Sequence, residues 1–332
     1  MSATDIAGAD LARAVDLLRR GELVGIPTET VYGLGADAAN PDAVAKIFAL
    51  KGRPADHPLI VHVAPEASLA DWAVDIPEGA WRLAAAFWPG PLTMILRKAS
   101  RVPMAVTGGQ DTVGLRCPSH PVAQALLRAF AREGSGAVAA PSANRFGHVS
   151  PTTAAHVRDE FGPDLFVVDG GPCEVGLEST IVDLSRGEAV LLRPGAVTRE
   201  DIARVLGQGP RDRDAAAPRA SGTLASHYAP RTPTELVDAA RLPAALAEAL
   251  GAGLRVAVLA RCSQGGFPAR AWRHAPADPA GYGHDLYAAL RELDGNGADR
   301  ILVERPPSGA DWEAVHDRLV RAAAGTDEDD ET

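Results

Sequence analysis

Apolar and polar positions follow two periods along the first two-thirds of the chain. Residues 10–20 carry Leu11, Val15 and Leu18 among charged neighbours and stop at Gly21, which predicts a helix with a glycine terminus. Short apolar runs predict strands at 22–26, 59–63, 92–97, 112–116, 136–140, 165–168, 179–184 and 189–193. In the second of these, Ile60 and His62 share the face opposite Leu59, Val61 and Val63. Helical spacing recurs at 41–50, 66–73, 78–87, 121–132, 152–160 and 198–206. Pro41 sits in a first turn, where its missing N–H costs nothing. The Thr- and Gly-rich stretch from 27 to 35 reads as a loop. Strands dominate with helices interspersed, so residues up to 206 predict one α/β domain built on a large mixed sheet.

The pattern then changes. Residues 208–231 are rich in Gly, Pro, Ala and charge and read as an interdomain linker. Beyond it, strand, helix, strand, helix, strand and helix are predicted at 233–237, 240–251, 255–260, 284–293, 300–304 and 309–323. That alternation predicts a small parallel sheet flanked by helices. This part contains neither a GxGxxG turn nor a GxxxxGK[ST] loop, so a nucleotide site there has little support.

Length and composition add limits. A chain of 332 residues accommodates two domains, and 46% hydrophobic with 23% charged residues excludes wholesale disorder. The net charge of −10 argues against a polycation that coats nucleic acid, though not against a local basic pocket. The acidic run from Asp327 to Glu331 reads as a solvated tail. Cys117, Cys173 and Cys262 show no disulfide or metal-ligand spacing. No secretory leader or membrane span is visible, so a soluble, cytoplasmic protein is expected.

Three segments concentrate candidate chemistry. Pro27-Thr28-Glu29-Thr30-Val31-Tyr32-Gly33-Leu34-Gly35 follows a strand, where open α/β sheets receive ligands; it reads equally as a turn capped by threonines. Lys51-Gly52-Arg53-Pro54 follows a helix, whose C-terminus attracts cations in any case. Pro54 favours an extended Arg53, and an extended Lys51 would then project alongside it as an anion clamp. Ala140-Pro141-Ser142-Ala143-Asn144 offers neutral hydrogen bonds after an apolar strand, or an ordinary Asx or Ser turn. Single candidates are His62, Thr112, Arg116, Ser179, Arg193 and the His227-Tyr228-Ala229-Pro230 cluster in the linker. HExxH and GxSxG are both absent, which leaves zinc hydrolysis and a Ser-His-Asp elbow without support.

In their order and spacing, PTETVYGLG, KGRP with PLIVHV, TVGLR-P, APSAN, LESTIVD, LLRPG and SHYAP resemble the YrdC/Sua5 family. The resemblance covers about residues 8–230 and indicates a two-domain, Sua5-type member. It implies a YrdC-like catalytic domain with a large twisted mixed sheet at 8–207 and a linker and lid at 208–231. A smaller C-terminal Rossmann-like α/β (Sua5) domain would follow at 232–326, and the acidic tail at 327–332.

The implied activity joins ATP, L-threonine and bicarbonate or CO2 into threonylcarbamoyl-adenylate with release of pyrophosphate. A separate threonylcarbamoyl transferase complex would then modify adenosine 37 of tRNA. The family's Lys-x-Arg and Ser-x-Asn elements fall on Lys51, Arg53, Ser142 and Asn144 as implied catalytic residues. By similarity Arg53, His57, Thr112, Ser142, Arg193 and Tyr228 would face ATP. Thr30, His62, Arg116, Ser179 and the Ala140 backbone would hold threonine. His57 stands where many relatives carry asparagine, and SGTLASHYAP departs from the relatives' linker. Mg²⁺ would be the cofactor, held mainly by the ATP phosphates rather than by protein ligands. Membrane partners are not expected, and any tRNA contact would be weak. A carbamate reverts readily in water, so the linker with Tyr228 is expected to close over the nucleotide. The alternative is a non-catalytic, YrdC-like RNA-binding module, against which the acidic balance counts.

Overall fold

The computed structural model describes residues 3–224 and 226–324, so the predicted acidic tail lies outside the described residues. Two compact units emerge: Met1–Phe146 with Pro151–Thr223, and Gly147–Ser150 with Leu224–Thr332. No helix among the described residues is long and apolar enough to cross a membrane.

In the first unit, α1 (Ala3–Arg19) leads into a hairpin of β1 (Val24–Ile26) and β2 (Gly33–Asp37). Next come α2 (Pro41–Lys51), β3 (Ile60–Val63), β4 (Ala73–Val74), α3 (Glu78–Phe87), β5 (Leu92–Lys98), α4 (Met104–Thr107) and β6 (Thr112–Arg116). After them follow α5 (Pro121–Glu133), β7 (Ala137–Ala139), α6 (Ala154–Phe161), β8 (Phe166–Val167), β9 (Thr180–Asp183), β10 (Val190–Arg193), α7 (Arg199–Leu206) and β11 (Arg211–Asp212). These strands form one mixed sheet in the order β11-β10-β9-β5-β6-β3-β7-β2-β1-β8, with β4 paired to β5. The large mixed sheet expected from the apolar runs is present.

Local chemistry explains the element ends. Asn40 caps α2 by accepting the N–H groups of Asp42 and Ala43, and Pro41 occupies the first turn. Thr198 and Asp201 form a reciprocal capping box at α7. Two expectations fail. Residues 66–73 hold only a single 3₁₀ turn, Leu69–Asp71, before β4, because Trp72 and Ala73 are drawn into the core and the sheet edge. Gly33–Gly35 belongs to a strand: a Cβ on Gly33 would lie 3.1 Å from Ala140 Cβ, and one on Gly35 3.0 Å from Val138 Cγ1. Glycine there lets β2 lie close to its neighbours.

Strand alternation divides the sheet's two faces. Val61, Val63, Met94, Leu96, Val113, Leu115 and Val182 join one large core together with residues of α2, α3, α6 and α7. On the opposite face, Val24, Ile26 and Val138 pack with Val15 and Leu18 of α1 and Leu126 and Phe130 of α5. Further along that face, Ile60, Ile95, Ile181, Val190 and Leu192 are covered by Ala217 and Ala220. Each such buried aliphatic side chain contributes roughly 1.5–3 kcal/mol. Residues up to Thr223 thus pack onto the first unit, and β11 extends its sheet alongside β10.

The second unit contains β12 (Thr234–Val237), α8 (Leu242–Gly251), β13 (Val256–Ala260), β14 (Ala271–His274), α9 (Pro279–Asp294), β15 (Arg300–Glu304) and α10 (Glu313–Ala323). Its four strands are all parallel in the order β12-β15-β13-β14. The small parallel sheet is as expected. It gains a strand, β14, that the sequence pattern did not show, and α9 begins at Pro279, capped by Asp278, rather than at 284.

Candidate active site

Register places the polar residues of the first unit in one row. His62 of β3 lies opposite Arg116 of β6, and Arg116 lies opposite Thr93 of β5. Thr93 Oγ1 is 2.8 Å from Ser179 Oγ, which adds the residue preceding β9. All four are buried. They share the sheet face of Ile60 and Ile95, between the apolar patch under α1 and α5 and the patch under Ala217 and Ala220. A line of polar side chains on a sheet face, with apolar cover on either side, is a ligand seat built into the core.

Two arginines flank the row. Arg193 donates through Nε to the Ser179 carbonyl (3.0 Å), through Nη2 to Ser179 Oγ (3.1 Å) and through Nη1 to the Ser221 carbonyl (3.0 Å). Arg53 donates through Nη2 to the Pro58 carbonyl (3.0 Å) and to Ser221 Oγ (3.3 Å). Ser221 Oγ in turn donates to the Pro58 carbonyl at 2.8 Å. Ser221 therefore joins the two cations through neutral oxygens.

The electrostatics of the row are specific. Burial, and then the Arg116 charge, push the His62 imidazole down to about 3, so the ring is neutral at physiological pH. Its Nδ1 lies 3.2 Å from the Ile60 carbonyl, which can only accept. Arg116 Nη2 donates to Glu29 Oε1 at 2.7 Å, with side chains only 5% and 2% exposed. Glu29 Oε2 and Arg116 Nε are buried without a hydrogen-bond partner among the described residues. Each such atom costs about 1–3 kcal/mol.

The Pro27–Gly35 segment is both turn and site. Thr28 Oγ1 accepts the N–H groups of Thr30 and Val31 and donates to the Val31 carbonyl at 2.6 Å, while Thr30 Oγ1 lies 2.9 Å from it. This fixes Glu29 between Thr28 and Thr30, and Val175 N–H donates to the Glu29 carbonyl at 2.7 Å. Glu29 was not singled out from the sequence.

The Lys51–Arg53 clamp needs correction. Lys51 is not extended; it is the last residue of α2, and Gly52 at φ +66° turns the chain before Arg53. Lys51 Nζ donates to the carbonyls of Ser142 (2.6 Å) and Asn144, and the Lys51 carbonyl accepts from Phe146 N–H at 2.8 Å. Burial, and then Arg53, hold the ammonium well below its ordinary range. Lys51 is thus the strut of the Ala140–Asn144 loop.

That loop is tied on its other side by Leu34 N–H to the Pro141 carbonyl and Ala143 N–H to the Tyr32 carbonyl, both 2.8 Å. The Ala140 N–H is spent on the Ile60 carbonyl at 3.0 Å. Ser142 is half-buried, and Asn144 Nδ2 donates to the Arg145 carbonyl at 2.8 Å.

Three further candidates have other surroundings. Thr112 begins β6 on the same face as Arg116, four residues and so roughly 13 Å away. It lines a cavity of about 390 Å³ with Arg97, Gln110, Ser185, Arg186 and Pro218. His57 stacks edge-on against Phe146 at 5.3 Å, and burial followed by Arg53 lowers its pKa. Tyr228 belongs to the second unit. There it is buried at φ +62°, with Tyr287 5.7 Å away and the Arg318 guanidinium 5.3 Å from its ring centre. Among the described residues no group of three or more His, Cys, Asp or Glu could hold a metal ion.

Residues 16–195 match the Sua5/YciO/YrdC family model, described as telomere recombination, and residues 197–324 match the model of the threonylcarbamoyl-AMP synthase C-terminal domain. A curated threonylcarbamoyl-AMP synthase of Bacillus subtilis is 41% identical over 95% of this chain and 93% of its own length. Another, from Pyrococcus abyssi, is 39% identical over 93% of both chains. The crystal structure of P. abyssi Sua5 complexed with L-threonine aligns with a TM-score of 0.86 at 38% identity, over 95% of this chain and 94% of that one. With both family models matched in sequence and the two-unit architecture shared, the chain belongs to the YrdC/Sua5 family as a two-domain, Sua5-type member.

Proposed function

We propose that this protein is an L-threonylcarbamoyladenylate synthase: L-threonine, bicarbonate and ATP yield threonylcarbamoyl-adenylate, pyrophosphate and water. A separate transferase complex would use the product to modify tRNA position 37. The observation that carries the reading is the buried row His62–Arg116–Thr93–Ser179 with Arg193 and Arg53 at its flank. It offers a carboxylate receptor, hydroxyls for a polar side chain and cations for phosphate in one connected site. The complex of the P. abyssi relative with L-threonine supports the amino-acid part.

In this reading Arg116 takes the threonine carboxylate, and Thr30, His62 and Ser179 orient the rest of the amino acid. Neutral His62 adds no positive charge that would compete for the carboxylate. Arg53 and Arg193 face the triphosphate, exchanging their bonds to Ser221 for charge-assisted bonds to phosphate oxygens. Thr112 and its cavity, at the far end of β6, suit the nucleoside of an extended substrate. Lys51 works indirectly by holding Ser142 and Asn144 in place. The threonine nitrogen forms the carbamate, whose oxygen attacks the α-phosphorus as pyrophosphate leaves. Stabilising that spreading negative charge is what the two arginines contribute. Mg²⁺ would supply further charge neutralisation, taking its oxygens mainly from the phosphates.

The test is to incubate the purified protein with ATP, Mg²⁺, bicarbonate and single amino acids, following pyrophosphate and adenylate. Pyrophosphate release that requires both threonine and bicarbonate is expected. RNA binding without turnover would instead favour the non-catalytic module.

A further inference from the structure

We propose that Glu29 binds the ammonium group of the amino-acid substrate, so that Glu29 and Arg116 together form a receptor for a zwitterion. The inference rests on the threonine-dependent function proposed above and adds to it a residue inside PTETVYGLG to which the resemblance assigned no role. Two oppositely charged side chains are buried together at 2.7 Å, yet each keeps one polar atom without a partner. The two atoms are of opposite kind: Arg116 Nε–H can only donate, and Glu29 Oε2 of the carboxylate can only accept.

An α-amino acid carries the matching set on adjacent atoms. Its carboxylate accepts from Arg116 Nε–H while its ammonium donates to Glu29 Oε2. A carboxylate ligand without the amine would satisfy the arginine, leave Oε2 unpartnered and place two anions side by side. An amine without the carboxylate would leave Nε–H unpartnered. A zwitterionic α-amino acid answers both atoms and both charges at once.

The other side chains of the row are neutral. Thr30, Thr93 and Ser179 are neutral hydroxyls and His62 is a neutral imidazole, so none of them offers the ammonium a counter-charge. Glu29 does, from a turn pinned by the Thr28 hydroxyl on both sides.

The experiment compares L-threonine with 3-hydroxybutanoate, which keeps the carboxylate and hydroxyl but lacks the amine. Binding to the full-length chain is measured by calorimetry for wild type, Glu29→Gln and Glu29→Asp. Wild type is expected to prefer threonine by about 30-fold or more, as loss of one partner from a buried charge pair implies. Glu29→Gln should remove most of that preference, weakening threonine while 3-hydroxybutanoate, relieved of the neighbouring anion, binds no more weakly than before, and Glu29→Asp should keep part of it. Equal weakening of both ligands in Glu29→Gln would mean that Glu29 only steadies Arg116, and would overturn the proposal. A wild-type protein that binds both ligands equally overturns it without any variant having to fold. Wild type that binds no threonine at all, and releases no pyrophosphate with it, removes the functional reading as well.

Discussion

His62 makes the first unit's stability depend on pH in a window where most carboxylates stay ionised. In the folded protein its imidazole protonates near 3 rather than at the ordinary 6.5, because burial and the neighbouring Arg116 charge both oppose the cation. Above 6.5 the folded and unfolded states carry the same neutral ring, and the residue adds no pH dependence. Below it the unfolded state takes up a proton that the folded state refuses. Stability therefore falls as pH drops from 6.5 towards 3. At pH 5 the gap is about 1.5 pH units of proton uptake, or about 2 kcal/mol. With a urea slope of about 3 kcal/mol/M, the midpoint should fall by about 0.7 M between pH 7.5 and pH 5 from this residue alone. The assay is urea unfolding followed by tryptophan fluorescence, with Trp72 and Trp88 as reporters in this unit. His62→Gln, which cannot be protonated, provides the difference that cancels every other titrating group. Curves that fall in parallel for wild type and variant between pH 7.5 and 5 would refute the argument.

Arg193→Gln removes the cation that joins Ser179 to Ser221; a loss of kcat/KM of about 100-fold is expected in pyrophosphate release, the usual scale for a transition-state charge partner. Ser221→Asp should place a competing carboxylate between Arg53 and Arg193 and raise the KM for ATP far more than that for threonine, checked by varying each substrate in turn. Gly195→Ala would put a Cβ 2.5 Å from Thr180 N and 2.8 Å from the Glu178 carbonyl. Backbone must then move beside Ser179, so a loss of at least about 1–3 kcal/mol of stability is expected by denaturation, together with weaker threonine binding. Lys51→Met strands the carbonyls of Ser142 and Asn144 without their donor, and a stability loss of about 2–4 kcal/mol should accompany the loss of turnover.

What the chain disclosed in one dimension depended on the range of the interaction. Strand alternation is local, so the two faces of β3 were legible from Leu59 to Val63, and the structure puts Val61 in one core and Ile60 in another. The same logic failed at β14. Ala271–His274 is only half-buried and joins β13 through a loop rather than a helix, so neither an apolar run nor a βαβ rhythm announces it. At Gly33–Gly35 turn chemistry pointed to a loop. The glycines instead serve close approach by Ala140 and Val138, more than a hundred residues away, which no local window can contain.

The site shows the same division more sharply. Most of its residues lie in short motifs whose composition drew attention: Thr30, His62, Arg116, Ser142, Ser179 and Arg193. Their roles, however, are set by partners distant in sequence. Lys51 read as half of an anion clamp only if it ran extended beside Arg53. It became a strut because the loop at 142–144, some 90 residues on, presents it with two carbonyls. Glu29 lies in a segment that reads also as a turn capped by threonines. It matters because Arg116, 87 residues away, buries it and leaves one oxygen unused. In both cases the residue type was visible in the sequence, and burial next to a remote partner converted it to a task. A motif therefore marks where chemistry is concentrated. It takes the count of satisfied and unsatisfied atoms, which only the fold supplies, to say which residue meets the substrate and which holds that residue still.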